Sequence, residues 1–356
     1  MALKILIVNT HFEDTIGGSE LQCDIIAEGL HDRGYEVTYL AIDKKKEYNR
    51  PYKIIGTERS STDIAEKILK IRPDVLYWRF NKRFFYKSVK PASMSGIKVI
   101  FAVSNIKDLL AYNIQWQGPL NFINIMSYFR KSLLSRINHL GFKYVDALTV
   151  NNEEHIDMAD MQIRRYIPNA ITDKKRDFFW KNPFILWVAN IKDRKRPELF
   201  VELANRLVEY QVDLLMIGNI QDNQYNWIAD GSNTPSNFYY LGPKEIDEVN
   251  GAISKSLFIA ATSTPEGFSN NIIQAWLQKK PVVAYEFDPG GMIAKHSLGF
   301  VCNSSFELFV NKSCELILNK EMREQLGEKA YLFAKENFST NKTIDKIETL
   351  IKDVIQ

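Results

Sequence analysis

Leu257-Phe258-Ile259-Ala260-Ala261-Thr262-Ser263-Thr264-Pro265-Glu266-Gly267-Phe268-Ser269-Asn270-Asn271-Ile272-Ile273-Gln274-Ala275-Trp276 is the stretch on which the fold turns. Its first five residues are a short apolar run, the signature of a strand buried on both faces. A Pro-Glu-Gly turn follows, and a helix begins at Ser269, a good N-cap. Ile272 and Ile273 stand four and three residues before Trp276, so the three share one buried stripe. The helix therefore opens where the strand ends. Its first N–H groups and the positive end of its dipole then face the crevice beyond the sheet, a place that favours an anion. Glu266 stands at the mouth of that site, and Gln274, eight residues on, adds a hydrogen-bonding group.

Outward from this unit the same alternation repeats. In the second half, strands are expected at 184–189, 213–218, 238–241 and 281–285, with a helix over 197–210. The first half opens with an apolar run at 4–9, a loop at 11–18, a helix over 19–33 ended by Gly34, and a strand at 35–41. Further strands are expected at 75–77, 99–103 and 147–150. The reading is α/β, with two Rossmann-like doubly wound domains in tandem. Residues 1–170 form the first domain and 171–338 the second, with the junction near 169–182. Residues 339–356 carry an amphipathic helix over 342–355, for which the N-terminal domain is one candidate surface. Sheets of this kind bind ligands beyond the carboxyl ends of their strands, so two facing sheets place a substrate in an interdomain cleft.

The chain has 356 residues, more than a single core usually supports. A net charge of only +3 argues against a general nucleic-acid binder. Cys23, Cys302 and Cys314 are odd in number and lack any C-x-x-C spacing, so neither a disulfide framework nor a zinc site is suggested. A reducing cytoplasm is the expected compartment. The apolar run at 3–8 is short for a signal peptide and no run reaches the length of a span, so any membrane contact is expected to be peripheral.

Several groups are candidates for chemistry. Gly17 and Gly18 open the first helix and allow close approach of backbone to a phosphate or sugar; the plain alternative is a flexible turn. The stretch contains neither G-x-G-x-x-G nor G-x-x-x-x-G-K-[ST], which disfavours dinucleotide and P-loop chemistry. Asn190 leads into Lys192, Asp193, Arg194, Lys195 and Arg196, four cations in five residues at a strand's carboxyl end. They suit a diphosphate there, against the plain alternative of a solvated basic loop. Glu266 on its rigid turn is placed to bond sugar hydroxyls or a cationic transition state, though an acid at a helix start also stabilises the helix by itself. His11 follows the first strand and is a candidate base, and no histidine shows metal-ligand spacing. Residues 75–145 hold eleven Lys and Arg against one acid, Asp108, interleaved with aromatics such as Trp78, Phe85, Phe122 and Phe129. Such a surface suits an anionic membrane face or a phosphate-bearing acceptor; the alternative is aromatics in the core beneath exposed cations.

Together these segments resemble the GT-B glycosyltransferases, in particular the large retaining family 4. Pro265-Glu266-Gly267-Phe268-Ser269-Asn270 with Gln274-Ala275-Trp276 is similar to that family's E-x7-E segment. Lys279-Lys280-Pro281-Val282-Val283 is similar to its G-x-P-V-V strand, with Lys279 in place of glycine. Gly17-Gly18-Ser19-Glu20 resembles its Gly-Gly-Ala/Ser-Glu loop, Ile167-Pro168-Asn169 its I-P-N-G linker entry, and Asp288-Pro289-Gly290-Gly291 a late loop of some members.

The resemblance implies that Glu266 touches the donor sugar, that amides of Gly267, Phe268, Ser269 and Asn270 bind the donor phosphates, and that Lys195 is the phosphate-binding lysine. Lys192 or Arg194 stands in for the arginine usual where Asn190 lies, and Gln274 replaces the glutamate that contacts the nucleotide ribose. Gly218, closing the strand 213–218, completes the donor-binding set with Gly17 and Gly18. The implied reaction transfers a sugar with retention from a nucleotide-diphosphate sugar, a co-substrate rather than a cofactor and used without a metal. The acceptor is a hydroxyl of a glycan or lipid-linked molecule, in polysaccharide or glycolipid assembly. With no second carboxylate placed for a covalent intermediate, front-face attack is favoured, the leaving phosphate helping to deprotonate the acceptor. Two other readings stay open: an inverting enzyme with His11 or Asp108 as base, and a non-catalytic glycan-binding protein of the same fold.

Overall fold

The computed structural model describes residues 2–15, 17–104, 108–111, 122–158, 161–171, 174–231, 233–265 and 269–356. The chain divides into two compact units, Met1–Ala170 with Thr340–Gln356, and Ile171–Ser339.

The first unit runs β1 (Lys4–Asn9), α1 (Gly18–Asp32), β2 (Glu36–Ile42), β3 (Lys53–Thr57), α2 (Ser61–Ile71), β4 (Val75–Trp78), α3 (Phe85–Met94), β5 (Lys98–Ala102), α4 (Phe122–His139), β6 (Ala147–Val150) and β7 (Arg164–Tyr166). Its seven strands lie in the order β3-β2-β1-β4-β5-β6-β7, all parallel, with β1 in register Lys4 to Glu36 on one side and Ile5 to Val75 on the other. Alternation along β1 sends Ile5 and Ile7 to one face and Leu6 and Val8 to the other. Ile5 and Ile7 pack with Ile26 and Leu30 of α1, and Leu6 and Val8 with Ile64 and Ile68 of α2 and Phe85 and Val89 of α3.

The second unit runs β8 (Phe184–Val188), α5 (Pro197–Arg206), β9 (Asp213–Ile217), α6 (Trp227–Asp230), β10 (Phe238–Tyr240), α7 (Ile246–Lys255), β11 (Ile259–Ala261), α8 (Asn270–Leu277), β12 (Val282–Ala284), α9 (Met292–His296), β13 (Gly299–Val301), α10 (Phe306–Leu318) and α11 (Lys320–Asn337). The parallel order β10-β9-β8-β11-β12-β13 repeats the first six strands of the other sheet. One face is filled by Phe200 of α5 and Phe309 of α10, the other by Ile253 of α7, Ile272, Ile273 and Trp276 of α8, and Phe338. The stripe read from 272, 273 and 276 is thus core. A last helix, α12 (Thr340–Ile355), sets Ile344, Ile347, Ile351 and Val354 into the α1 face of the first unit. Arg33 at the end of α1 holds it further, pairing with Asp345 at 2.6 Å and with Glu348.

Three strands lie outside the apolar runs expected from sequence: β3, β7 and β13. All are sheet edges with few fully buried residues, so their composition carries no continuous apolar signal. The helix expected over 197–210 stops at Arg206 and closes in a single 3-10 turn, Val208–Tyr210. Lys279 stands at φ 58°, in the left-handed region that favours glycine. Its carbonyl lies where a Cβ on Gly327 of α11 would fall, 2.1 Å away, so α11 crosses close over it.

Candidate functional site

In the second unit the basic loop and the strand-end loop are one structure. Beyond β8 the chain bridges Ile191 to Ile220 and makes a 3-10 turn, Asp193–Lys195, while β11 runs on into Thr262 to Pro265. Three polar links join the two loops. Thr262 Oγ1 receives Trp187 Nε1–H at 2.8 Å and donates to the Lys195 carbonyl at 2.6 Å. The Thr264 amide donates to the Arg194 carbonyl at 2.9 Å, its hydroxyl to the same oxygen at 3.2 Å. Arg196 Nε donates to the Thr262 carbonyl at 2.7 Å, and its Nη2 to the Ser263 carbonyl at 3.0 Å. The Arg196 guanidinium also pairs with Glu286 at 2.7 Å and lies over the Tyr285 ring at 4.8 Å.

Lys192 and Arg194 thereby sit on a turn whose backbone is fixed to the end of β11. Lys195 is folded into it, 8% exposed. Asn271, in the first turn of α8, donates from Nδ2 to the Val188 carbonyl, which pins the start of that helix to the end of β8. Ser269 is its N-cap residue by backbone angle, without a side-chain cap bond, so the first turn of N–H groups is not capped by its own serine. The cations, the end of β11 and the positive end of α8 therefore meet at the carboxyl edge of the second sheet. Glu266, Gly267 and Phe268 lie outside the described residues.

Two of the remaining expected residues are held by their surroundings. Gly218, after β9, has no room for a side chain, because a Cβ there would stand 1.7 Å from the Ala189 carbonyl oxygen, next to Asn190. Gln274 is 3% exposed, and its Nε2 donates to Asn250 Oδ1 at 2.9 Å. Asn250 is oriented in turn by its own Nδ2, which donates to the Lys174 carbonyl at 2.7 Å. The chain thus carries an amide at position 274 where an amide donor has a fixed acceptor.

In the first unit, Gly17 is the N-cap of α1 with extended backbone, and Glu20 folds back over it. Burial raises the Glu20 carboxyl, opposed by the charge of Arg79. Ser19 Oγ lies 3.1 Å from both Asn9 Nδ2 and Ser104 Oγ, fastening the α1 start to the end of β1. Gln22 clamps the Ala170 backbone, accepting from its N–H at 2.8 Å and donating to its carbonyl at 2.5 Å. Arg79 Nη2 reaches Asn169 Oδ1 at 2.9 Å. Asp108 accepts the Ser104 amide at 3.3 Å.

His11 is fully buried, stacked on Tyr48 with ring centroids 4.2 Å apart. Its Nδ1 accepts the Glu13 amide at 3.3 Å, and Nε2 lies 3.2 Å from Tyr52 Oη, which donates to Asp24. A neutral ring with its proton on Nε2 satisfies this chain, and burial lowers its pKa, against the opposing pull of Asp24. Both ring nitrogens are engaged within the core.

Asn250 and Gln22 are positioning residues that the sequence did not single out, while Arg196, read as one cation of the basic run, and Asn271, read as a polar donor at the start of α8, turn out to position loops. Arg196 differs from its basic neighbours by no signal in the sequence, and the partners of the others are remote in the chain.

Residues 170–333 match the family described as glycosyl transferases group 1. A search of the curated proteins finds no match. Among solved structures, Anabaena HepE in complex with UDP-glucose is 14% identical, with a TM-score of 0.73 over 99% of this chain and 100% of that one. Sucrose-phosphate synthase from Thermosynechococcus elongatus is 12% identical, with a TM-score of 0.76 over 99% of each chain. A mutant of S. aureus TarM, in complex with fondaparinux, alpha-GlcNAc-glycerol and UDP, is 12% identical with a TM-score of 0.76, over 98% of this chain and 99% of that one. Likeness at this identity establishes the fold, and the chain has the GT-B fold of these glycosyltransferases.

Proposed function

We propose that the protein is a glycosyltransferase that moves a sugar from a nucleotide-diphosphate sugar to an acceptor hydroxyl with retention, as a family 4 enzyme of glycan or glycolipid assembly. The observation that carries this reading is the linkage of the 192–196 turn to the 262–264 loop at the start of α8, within the segment matched by the group 1 family. Departure of a nucleoside diphosphate concentrates negative charge on its phosphate oxygens. Lys192, Arg194 and Lys195 together with the α8 N-terminus stabilise that charge without a metal ion. A preorganised turn makes the stabilisation effective, since its cations need no reorganisation as the charge develops.

In this reading Glu266 holds the donor sugar hydroxyls and Gly267, Phe268, Ser269 and Asn270 present amides to the phosphates. Asn190 and Gly218 border the nucleotide. Gln274, bonded to Asn250, orders the α8 face beside the ribose. Gly17 and Gly18 give the first unit a point of close backbone approach to phosphate or sugar. The acceptor attacks from the face the nucleotide leaves, and the leaving phosphate takes the proton.

A panel of UDP-, GDP- and ADP-sugars tests this. A true donor raises the thermal midpoint, because a ligand bound only by the folded state stabilises it, and it releases nucleotide on incubation. NMR of the product then gives the anomeric configuration; an inverted centre refutes retention. Lys195→Ala should cost about 1–3 kcal/mol of transition-state stabilisation, the scale of one charge-assisted hydrogen bond. Unchanged kinetics would remove Lys195 from the phosphate site. If no nucleotide sugar binds or turns over, the catalytic reading fails.

A further inference from the structure

Among the described residues, large apolar side chains left in solvent concentrate on one helix. On α4, Phe122, Ile123, Met126, Phe129, Leu133 and Leu134 are between 47% and 77% exposed. Phe122, Met126, Phe129 and Leu133 follow at i, i+4, i+7 and i+11, so at about 100° per residue they form one narrow stripe. The opposite face is the attached one. Asn138 Nδ2 donates to the Arg83 carbonyl at 2.9 Å, and Ser135 Oγ to the Ala111 carbonyl at 3.3 Å. α4 also lies against α3 and the 82–84 turn. The stripe therefore points away from its own unit.

The charge on this helix has one sign. Arg130 and Arg136 are exposed on either side of the stripe, Lys131 is exposed on the far side of the helix, and α4 contains no Asp or Glu. The other aromatics of the basic stretch divide differently: Trp78 and Phe85 are core and add nothing to the exposed apolar surface.

We propose that α4 adsorbs this protein to an anionic lipid bilayer, Phe122, Met126, Phe129 and Leu133 entering the acyl boundary while Arg130 and Arg136 meet the headgroups. An apolar stripe flanked by arginines is what the interface of such a bilayer accommodates, with the helix lying in its plane. A second copy of the chain fits less well, because two α4 helices face to face bring cations together with no acid on the helix to pair them. No helix among the described residues is long and apolar enough to cross a membrane, so the contact is peripheral.

The test is flotation of the full-length protein with vesicles of phosphatidylcholine alone or mixed with phosphatidylglycerol. The protein should float with the mixed vesicles and far less with the neutral ones, and added salt should weaken binding. Phe129→Ser with Leu133→Ser removes apolar contact, and Arg130→Glu with Arg136→Glu reverses charge. Each pair should lower vesicle partition about tenfold or more. All four residues are exposed, so circular dichroism and thermal midpoint should stay at the parent values. Partition unchanged in both pairs, or equal on neutral and anionic vesicles, overturns the proposal. So does a concentration-dependent dimer in sedimentation velocity that the serine pair abolishes, which would assign the stripe to a second copy. The readout is adsorption, not transfer, and is independent of the proposed reaction.

Discussion

Arg196 is the residue whose removal tests the construction of the candidate site most directly. Arg196→Ala deletes two charge-assisted bonds, to the Thr262 and Ser263 carbonyls at 2.7 and 3.0 Å, and the contacts with Glu286 and Tyr285. A hydrogen bond to a charged group contributes about 1.5–3 kcal/mol. Thr262 is fully buried, so its carbonyl finds no ready water in exchange, whereas Ser263 is half-buried and recovers part of its loss. The Glu286 pair is partly solvated on both sides and adds no more than about 1 kcal/mol. The sum, discounted for relaxation, is a destabilisation of the second unit of about 2–4 kcal/mol.

Urea unfolding followed by tryptophan fluorescence reads this unit, since Trp180, Trp187, Trp227 and Trp276 all lie in it. Trp187 itself bonds Thr262, so its emission should shift in the native baseline as well as in the transition. Arg196→Lys keeps the charge but not the planar fork that spans two carbonyls, and should recover less than half of the loss. An unchanged midpoint and native emission in Arg196→Ala would refute the argument that this side chain joins the two loops. A lysine variant indistinguishable from the parent would show that charge alone suffices.

Three further outcomes follow from the same geometry. Gly218→Ala drives a Cβ into the Ala189 carbonyl, 1.7 Å away on a rigid backbone, and should destabilise by about 3 kcal/mol or more in chemical denaturation; a wild-type midpoint would show that the 189–190 backbone yields freely. Gln274→Glu sets an acceptor against Asn250 Oδ1, whose amide is already committed to Lys174, so about 1–3 kcal/mol should be lost at neutral pH. That deficit should narrow on acidification, when the protonated carboxyl regains a donor, and a deficit independent of pH would refute the account. His11, held neutral by burial below its ordinary value of 6.5, binds fewer protons folded than unfolded. Its contribution is complete above about pH 6.5 and is lost as pH falls towards the depressed folded value. The thermal midpoint should drop with acid across that range, less steeply in His11→Gln; an identical slope in the variant would remove His11 as the cause.

How much was legible in the sequence depends on the range of the signal. Ile5–Val8 of β1 and the whole of β8 are continuous apolar runs, and the starts of α1 and α8 carry Gly-Gly and Ser-Asn, so these elements declare themselves locally. The edge strands β3, β7 and β13 do not, because half-exposed pairs need little apolar surface. The basic run at 192–196 was visible as charge, but charge did not distinguish its members. Lys195 is folded inward and Arg196 is the clasp, a division set by loops 66 and 67 residues away in the chain. His11 looked like a base at a strand end; the structure gives it to Tyr48, Tyr52 and the Glu13 amide.

Residue types along the chain set the alternation of strand and helix, the doubling of the doubly wound unit, and the edge where the candidate ligand-binding residues gather, because burial and capping select residue types at each position. Tertiary structure alone decided which side chain holds which loop. The partners of Arg196, of Thr262 and of Asn271 are backbone carbonyls, and since every residue carries one, such a bond leaves no trace in the residue types that make it.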